Sequence, residues 1–263
     1  MLINIRMNDT YILSFVAGTS GRFLASILWN TINNLNLEIE FTPFNSAHYE
    51  TPWTNNWDVK LNEPSIEWTV NGPTAYNVFN FTQDKGIMTT HTYPNWDVIR
   101  ERFSYTKVII IKYAESDIPE IVANIMYKNG FDLFLSDFQK GKDRKSMVFN
   151  SICEIHKELF NTEYDGSYEL SLTQLEQIFN KMLDKWKPQM LKWTNFIDTP
   201  IPDDFIDRTL VLSYNEIFNS EDTISKIENF TGYKVNDNSK EAYNVYVSNR
   251  NNLIKSKMPW ITL

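Results

Sequence analysis

A loop of small residues near the amino terminus has the composition of an anion-binding site. It runs from Ala17 to Gly21, follows an apolar run at residues 11–16, and precedes helical spacing that begins at Phe23. Successive backbone N–H groups in such a loop lie beside the positive end of the helix dipole, where phosphate and related anions bind. The candidate anion-binding residues are Gly18, Thr19, Ser20, Gly21, Arg22 and Phe23. A tight turn without a ligand is the alternative interpretation.

The loop does not match the two common nucleotide-binding patterns. The Walker A pattern requires a Lys followed by Ser or Thr after its second glycine, and Arg22-Phe23 stands there instead. The dinucleotide-binding pattern requires a third glycine, which does not follow Gly21. The sequence therefore disfavours an ordinary ATP or GTP enzyme.

One of the three histidines follows a predicted strand. Residues 86–91 form a short strand candidate that ends in His91. Open α/β sheets bind ligands at such strand ends, so His91 could remove the proton of an acceptor hydroxyl near neutral pH. A histidine hydrogen-bonded at a strand end is the alternative. His48 could contact an acceptor, and His156 is predicted to lie on the surface or to serve in packing. Because the three histidines are far apart in sequence, no metal site is predicted.

Composition and charge exclude several classes of protein. With 263 residues, 42% hydrophobic and 22% charged, the chain has the usage of a globular protein, and we expect one domain over residues 1–263. The net charge of −8 disfavours a nucleic-acid surface. The loop and Arg22 interrupt the early apolar run, so no membrane span is predicted. The single Cys153 and the lack of a signal pattern predict a cytoplasmic location. The composition, rich in Asn and poor in Gly, indicates a viral or bacterial source. If the source is viral, the predicted location is the cytoplasm of the host cell.

Strand and helix patterns alternate along the chain. The predicted strands are residues 11–16, 86–91, 107–113 and 208–214. The predicted helices follow the glycine loop, cover residues 118–126 with a cap at Ser116 or Asp117 and an end at Asn129-Gly130, fill much of residues 146–193, and run from Ser220 to Gly232. This order predicts an α/β fold, a three-layer sandwich whose central sheet is mostly parallel.

Three further segments have a predicted role in packing or binding. Residues 40–85 are rich in aromatic side chains and are predicted to form an insertion. The insertion covers a site or binds an acceptor, or it is a simple excursion of the chain. Within it, strands 65–70 and 74–79 are predicted to form a hairpin around Asn71-Gly72. Within the helical segment, Ser171 and Gln174 form a predicted capping box before a core stripe of Leu172, Leu175, Phe179, Met182 and Trp186. After a polar linker, residues 247–257 gather Arg250, Lys255 and Lys257.

Four segments in this order resemble the sulfotransferases of the P-loop fold, which use 3′-phosphoadenosine 5′-phosphosulfate (PAPS). They are AGTSGRFL (residues 17–24), TTHTYP (89–94), KVIIIKYAESDIPEIVANIMY (107–127) and LVLSYNEIFNSEDTISKIENFTG (210–232). The resemblance implies a P-loop NTPase-like, nucleotide-binding transferase. Such an enzyme moves a sulfuryl group from PAPS to a hydroxyl or amine of a glycan or small-molecule acceptor and releases 3′,5′-diphosphoadenosine.

The resemblance also assigns roles to residues. It implies that His91 is the base, that Arg22 stabilises the bridging oxygen, and that the glycine loop holds the phosphosulfate. Lys112 and Asn124 are the implied contacts of the 3′-phosphate, and Arg250, in a late basic segment that closes over the cofactor in the family, is a candidate phosphate contact. Tyr214 and Glu216 are structural. For Arg250, solvated surface charge is the alternative.

The chain departs from the family's pattern at three positions. Thr19 replaces the Lys or Arg that commonly precedes the Ser-Gly step, Lys112 replaces an Arg, and Glu120 stands where a Ser is expected, so that Asn124 or Ser116 would be the substitute donor. Two other functions therefore stay open: a kinase-like P-loop enzyme, and a catalytically inactive glycan-binding protein.

Overall fold

A computed structural model describes most of the chain in two compact units. The described residues are 9–16, 19, 21–34, 68–69, 73–74, 77–82, 85–90, 93–94, 96–102, 105–126, 147–192, 200–220 and 222–261. The first unit comprises Met1–Glu40, Ser46–Tyr113 and Asn195–Asn244, and the second comprises Phe41–Asn45, Ala114–Thr194 and Val245–Leu263. This grouping does not test independent folding, so the single domain over residues 1–263 stays a prediction.

Strands and helices alternate in the described part of the first unit, and the regular elements described in the second unit are helices. In chain order they are β1 (Asp9–Ser14), α1 (Gly21–Asn33), β2 (Trp68–Thr69), β3 (Pro73–Thr74), β4 (Asn77–Thr82), β5 (Lys85–Thr90), α2 (Trp96–Arg102), β6 (Lys107–Lys112), α3 (Ile118–Ile125), α4 (Met147–Phe160), α5 (Leu172–Lys192), β7 (Thr209–Ser213), α6 (Tyr214–Asn219), α7 (Asp222–Thr231) and α8 (Asp237–Lys257). Short 3₁₀ helices at Glu115–Asp117 and Asp203–Arg208 precede α3 and β7.

The central sheet has the strand order β4-β5-β1-β6-β7. The strands β5, β1, β6 and β7 pair in parallel, and only β4 pairs antiparallel, with β5, among the described pairings. Residues 108–111 of β6 are all buried, and such an unbroken apolar run is typical of a central parallel strand. The prediction of an α/β fold with a mostly parallel sheet is confirmed.

Aromatic side chains connect helices of the first unit to one another and to the sheet. Phe23 of α1 stacks on Tyr243 of α8 with ring centroids 5.7 Å apart. Phe230 of α7 makes an edge contact with Tyr11 of β1, and the Lys107 ammonium donates a hydrogen bond of 3.0 Å to the Phe230 carbonyl. Lys107 thereby caps the carboxyl end of α7, where the last carbonyl groups have no N–H donor within the helix.

The glycine that follows α7 ends the helix as predicted. Gly232 has a φ of +79°, the left-handed conformation that glycine adopts without a steric penalty. Its N–H donates to the Glu228 carbonyl over 2.9 Å. The predicted helix from Ser220 therefore has the predicted end, although its first helical residue is Asp222.

The hairpin in the aromatic-rich insertion is confirmed in part. Trp68 pairs with Thr74 and Thr69 with Pro73, in antiparallel register around Asn71-Gly72, which lie outside the described residues. The predicted return strand over 74–79 is divided, because Asn77 begins β4 and pairs with Thr89 of β5. The insertion's remaining predicted roles concern residues that the structure does not describe.

The predicted helical segment of residues 146–193 consists of two helices, α4 and α5, with a non-helical connection at residues 161–171. The capping box is confirmed: the Ser171 N–H donates to Gln174 Oε1 and the Gln174 N–H donates to Ser171 Oγ. Leu175, Phe179 and Met182 are buried, but Leu172 is 49% exposed. Leu172 is the first residue of α5 and is exposed, so its placement in the core stripe was wrong.

Two further expectations about helices are corrected. Asp117 occupies the N-cap position of α3, but its carboxylate accepts a hydrogen bond of 2.7 Å from the Ala114 N–H and caps no amide of the helix. The polar linker predicted before residue 247 is also wrong, because α8 is continuous from Asp237 to Lys257. The buried positions of α8 include Tyr243, Tyr246, Arg250 and Ile254, which recur at helical spacing. In the described part of the chain, no helix is long and apolar enough to cross a membrane.

Candidate functional site

The carboxyl ends of the parallel strands define the candidate site in the first unit. After β1 the chain continues to β4 and β5, which lie towards one edge of the sheet. After β6 it continues to β7, at the opposite edge. Adjacent strands whose connections run in opposite directions form a topological switch point, the place where open α/β sheets bind ligands. The loop that follows β1 and the last residue of β6 therefore lie at the crevice expected to hold a ligand.

Lys112 ends the strand next to β1, at the same edge of the sheet. It is the last residue of β6 and is partly exposed. Ile110 pairs with Ser14 of β1, and a parallel register advances equally on both strands, so Lys112 lies at the level of Val16, where the loop begins. On its other side Lys112 pairs with Ser213, the last residue of β7.

Thr19 closes a tight turn at the start of the loop. It is buried, its N–H donates to the Val16 carbonyl over 3.1 Å, and its hydroxyl donates to the same oxygen over 2.6 Å. Both donors of Thr19 are therefore engaged within the chain. Ala17, Gly18 and Ser20 lie outside the described residues, so their contacts with an anion stay a prediction.

Gly21 begins α1 and packs against Phe15. A Cβ atom on residue 21 would lie 2.0 Å from Cγ of the Phe15 ring, far inside van der Waals contact. Phe15 is itself buried, so its ring has little room to move aside. The absence of a side chain at Gly21 is thus explained by close packing of helix and strand, the role that the third glycine has in dinucleotide-binding loops.

The first turn of α1 offers backbone donors. Gly21, Arg22 and Phe23 form this turn, and the first N–H groups of a helix have no acceptor within the helix. The Phe23 ring is fully buried, so the contact with an anion that is implied for this residue can involve only its backbone amide. The Arg22 backbone belongs to the helix, and its side chain lies outside what the structure describes.

The predicted catalytic histidine follows the neighbouring strand. Thr90, the last residue of β5, pairs with Ser14, the last residue of β1, and His91 follows Thr90 in the sequence. His91 and His48 themselves lie outside the described residues, and their roles stay predictions.

The two remaining candidates belong to the second unit. Asn124 is buried on α3, and Arg250 of α8 is only 1% exposed. The Arg250 guanidinium forms an ion pair with Glu120 of α3, whose side chain is 12% exposed, and donates a hydrogen bond of 2.8 Å to Asn251 Oδ1. Burial lowers the pKa of Arg250 to about 9, which is above neutral pH, so the guanidinium remains charged beside the carboxylate. The alternative interpretation of Arg250 as solvated surface charge is wrong.

Sequence reasoning missed Glu120 as the partner of Arg250. The available signal was the spacing of Tyr243, Tyr246, Arg250 and Ile254, which places the arginine on the buried stripe of one helix. A buried arginine requires an acidic partner. Spacing alone does not say which of the 33 acidic residues it is.

His156 forms a separate polar cluster in the second unit. Its ring is fully buried, with Nδ1 3.0 Å from the Thr162 carbonyl and Nε2 3.2 Å from the Tyr168 hydroxyl. A carbonyl only accepts, so Nδ1 carries the proton and Nε2 accepts from Tyr168. The expectation that His156 serves packing is confirmed, because these bonds tie the end of α4 to the connection that follows it.

The first unit thus has the features of an α/β protein with an open, mostly parallel sheet and a topological switch point between β1 and β6. Within the described ranges, no group of three or more His, Cys, Asp or Glu side chains is arranged to hold a metal ion. The chain matches no known protein family, no curated protein and no solved structure.

Proposed function

We propose that the chain is a sulfotransferase that moves a sulfuryl group from PAPS to a hydroxyl or amine of a glycan or small-molecule acceptor, on a P-loop NTPase-like three-layer sandwich. One observation carries the proposal: Lys112, at the end of β6, lies level with Val16, the residue that precedes the loop of small residues in the sequence. Sulfuryl transfer places negative charge on oxygens, so a cation and backbone N–H groups at one edge suit it.

The chain's residues fit one end of PAPS better than the other. The Lys112 ammonium and the backbone N–H groups of Gly21, Arg22 and Phe23 are groups that bind the oxygens of a phosphosulfate. The proposal assigns Lys112 to the phosphosulfate and not to the 3′-phosphate that the resemblance implies for it, because Lys112 lies level with Val16 at the end of the neighbouring strand. Arg250, another implied phosphate contact, is already paired with the Glu120 carboxylate. The proposed mechanism therefore concerns the phosphosulfate end alone.

PAPS, when bound, supplies the sulfuryl group and the nucleotide leaving group. In the proposed mechanism, His91 accepts the proton of the acceptor hydroxyl, because an imidazole titrates near neutral pH and can act as a general base. Lys112 and Arg22 would neutralise the negative charge that develops on the leaving group as the sulfuryl group passes to the acceptor. The turn closed by Thr19 fixes the start of the loop, so that its amides are oriented before the ligand arrives.

An inactive binding protein is the second candidate. It is favoured by the internal engagement of Thr19 with Val16 and of Arg250 with Glu120, which leaves fewer groups for a reacting donor. The substitution His91→Ala distinguishes the two functions. Sulfuryl transfer should fall by at least about a hundredfold with the loss of a general base. A binding protein would keep its affinity for its ligand.

Calorimetric titration with 3′,5′-diphosphoadenosine tests the proposal directly, with ATP and Mg²⁺ as the comparison. Micromolar binding of the first and none of the second supports it. The substitution Lys112→Ala should weaken the nucleotide about tenfold or more, since a hydrogen bond to a charged group is lost. Lys255→Ala, an exposed lysine on α8, is the matched control and should change nothing. Failure of both nucleotides to bind would overturn the proposal.

A further inference from the structure

A hydrogen-bonded relay in the second unit ends at an exposed phenol. The Thr162 carbonyl lies 3.0 Å from His156 Nδ1, and the Tyr168 hydroxyl lies 3.2 Å from His156 Nε2. Because the carbonyl only accepts, Nδ1 holds the imidazole proton and Nε2 accepts the hydrogen bond of the phenol. A hydroxyl, a base that accepts from it and a third group that orients the base form the arrangement that activates nucleophiles in covalent catalysis.

We infer that Tyr168 is a nucleophile that takes an acyl group from uncharged activated esters, with His156 as its general base. This activity belongs to the second unit and does not depend on the proposed sulfuryl transfer. The Tyr168 oxygen forms a bond to the carbonyl carbon of the ester, and the bond from that carbon to the alcohol oxygen breaks. The alcohol leaves as an alkoxide with the electron pair of the broken bond, while the phenol proton passes to His156 Nε2 and then to the alkoxide.

The exposures of the side chains fit these roles. Tyr168 is 44% exposed and can meet an ester, whereas the His156 ring is fully buried and can reach the ester only through the phenol. Tyr164 belongs to the same cluster, but its side chain is largely buried, and burial raises its pKa to about 12. Tyr168 is therefore the phenol of this cluster that is both accessible and activated.

The neighbours of His156 can stabilise the imidazolium that forms in this step. The Thr162 carbonyl continues to accept from Nδ1 when Nε2 takes the phenol proton. The ring centroids of Phe160 and Tyr164 lie 4.8 and 5.4 Å from that of His156, and an aromatic ring attracts a cation at such distances. These contacts offset part of the cost of charging a buried side chain.

The charges around Tyr168 favour an uncharged ester over an anionic one. Asp165 and Glu169 lie within three residues of Tyr168, and Glu169 is paired with Lys257. After burial, both carboxylates contribute to the raised pKa of Tyr164, so they are close enough to act on a charge in this cluster. The contacts described for Tyr168 itself are with uncharged rings. An anionic donor such as a nucleotide would thus be repelled here, and a neutral ester would not.

The first test compares two tyrosines of the same wild-type chain. Tyr105 is 73% exposed and has no histidine among its described contacts, so it is the matched ordinary phenol. Phenylmethanesulfonyl fluoride is uncharged and leaves a stable sulfonate ester on a phenol as fluoride departs. We expect Tyr168 to be labelled at least about tenfold faster than Tyr105, because only Tyr168 has a general base. Mass spectrometry of peptides measures both rates, and a rate at Tyr168 equal to or below that at Tyr105 overturns the inference.

The substitution His156→Gln tests the base. The glutamine amide can accept a hydrogen bond but cannot take the proton, so labelling of Tyr168 should fall to about the rate of Tyr105. Labelling of Tyr105 in the same sample should not change. A variant that is folded by circular dichroism and still labels Tyr168 at the wild-type rate overturns the inference. If the variant does not fold, the wild-type comparison still decides.

The class of ester is tested with p-nitrophenyl acetate. The wild type should release p-nitrophenolate faster than Tyr168→Phe, and Tyr105→Phe should match the wild type. Lysines react alike in all three proteins, so the difference measures Tyr168. Equal rates for the wild type and Tyr168→Phe overturn the inference. The p-nitrophenyl monoester of succinic acid carries a carboxylate and should show a smaller difference, and an equal or larger one would overturn the preference for uncharged esters.

Discussion

The Phe15 Cγ atom lies 2.0 Å from the position that a Cβ on residue 21 would take. We predict that Gly21→Ala lowers the free energy of unfolding by about 1–3 kcal/mol, the usual cost of overpacking a buried contact. Urea unfolding of the purified chain measures it. The effect has a steric cause, so Phe15→Leu in the same chain should recover part of the loss.

The stabilities of Gly21→Ala alone and in the Phe15→Leu background test whether the cause is steric. If the stability of Gly21→Ala is that of the wild type, the close contact between α1 and β1 does not exist in solution. If Phe15→Leu recovers nothing, the two side chains act independently and the glycine has another role.

Single residues show what sequence reasoning reaches and what it misses. The candidate loop was found because a run of small residues between a strand and a helix is a local pattern. The engagement of Thr19 by Val16 is also local, but it depends on backbone angles that the residue types leave open. The pair of Arg250 and Glu120 joins residues far apart in sequence, so no local pattern indicates it.

Helix α6 offers a test at the level of one element. Ser213 and Glu216 form a reciprocal capping box: the Ser213 N–H donates to Glu216 Oε2 over 2.9 Å and the Glu216 N–H donates to Ser213 Oγ over 3.1 Å. Lys226 of α7 forms an ion pair with Glu216. The Lys226 ammonium and, after it, the Ser213 amide hold the pKa of Glu216 below its ordinary value of 4.5.

The sign of the pH dependence follows from this depressed pKa. The folded state binds the Glu216 proton more weakly than the unfolded state, so the carboxylate stabilises the fold above pH 4.5 and less as pH falls through its folded pKa. We predict that Glu216→Gln lowers the free energy of unfolding by up to about 1 kcal/mol at pH 7 and that the difference vanishes in acid. Chemical denaturation at several pH values measures it.

The exposed Glu241 on α8 is the matched control, and Glu241→Gln should change stability little at any pH. A difference between wild type and Glu216→Gln that stays constant down to pH 3 would contradict the predicted titration.

Elements with strong periodicity were predictable, and their ends and partners were not. β1, β6 and α7 were identified because an unbroken apolar run or a helical stripe identifies each of them. The predicted return strand over residues 74–79 is divided between β3 and β4, because tertiary contacts decide that β4 pairs with β5. α8 was taken for a linker because a polar surface and a buried arginine conceal its stripe.

At the scale of the whole molecule, α8 is one continuous helix whose residues belong to both units. The division falls after Asn244, within the helix. We predict that Asn244→Pro destabilises the protein by about 3 kcal/mol or more, because proline removes a helix hydrogen bond and clashes with the preceding turn. Hydrogen exchange should show faster opening of amides in β1 and in α5 alike.

Asn244→Ala is the control for this prediction. The residue is exposed, and alanine favours a helix, so protection should be unchanged or slightly increased. Faster exchange confined to one of the two units would mean that the halves of α8 act independently.

The topology was predictable in outline because alternating strands and helices imply a parallel sheet. The order of the strands was not, since β1 lies between two strands that come much later in the chain. Only long-range pairing decides this, and one sequence contains no direct record of it.

That strand order has a consequence for synthesis on the ribosome. Asp9 of β1 finds its partner only when Lys85 has been made, and β6 and β7 follow later still. At about 5–20 residues per second, a newly made apolar strand stays without its neighbours for several seconds. The nascent chain is therefore expected to engage holding chaperones early and to release them once Lys112 has emerged, and ribosome profiling of chaperone-bound chains would locate that moment.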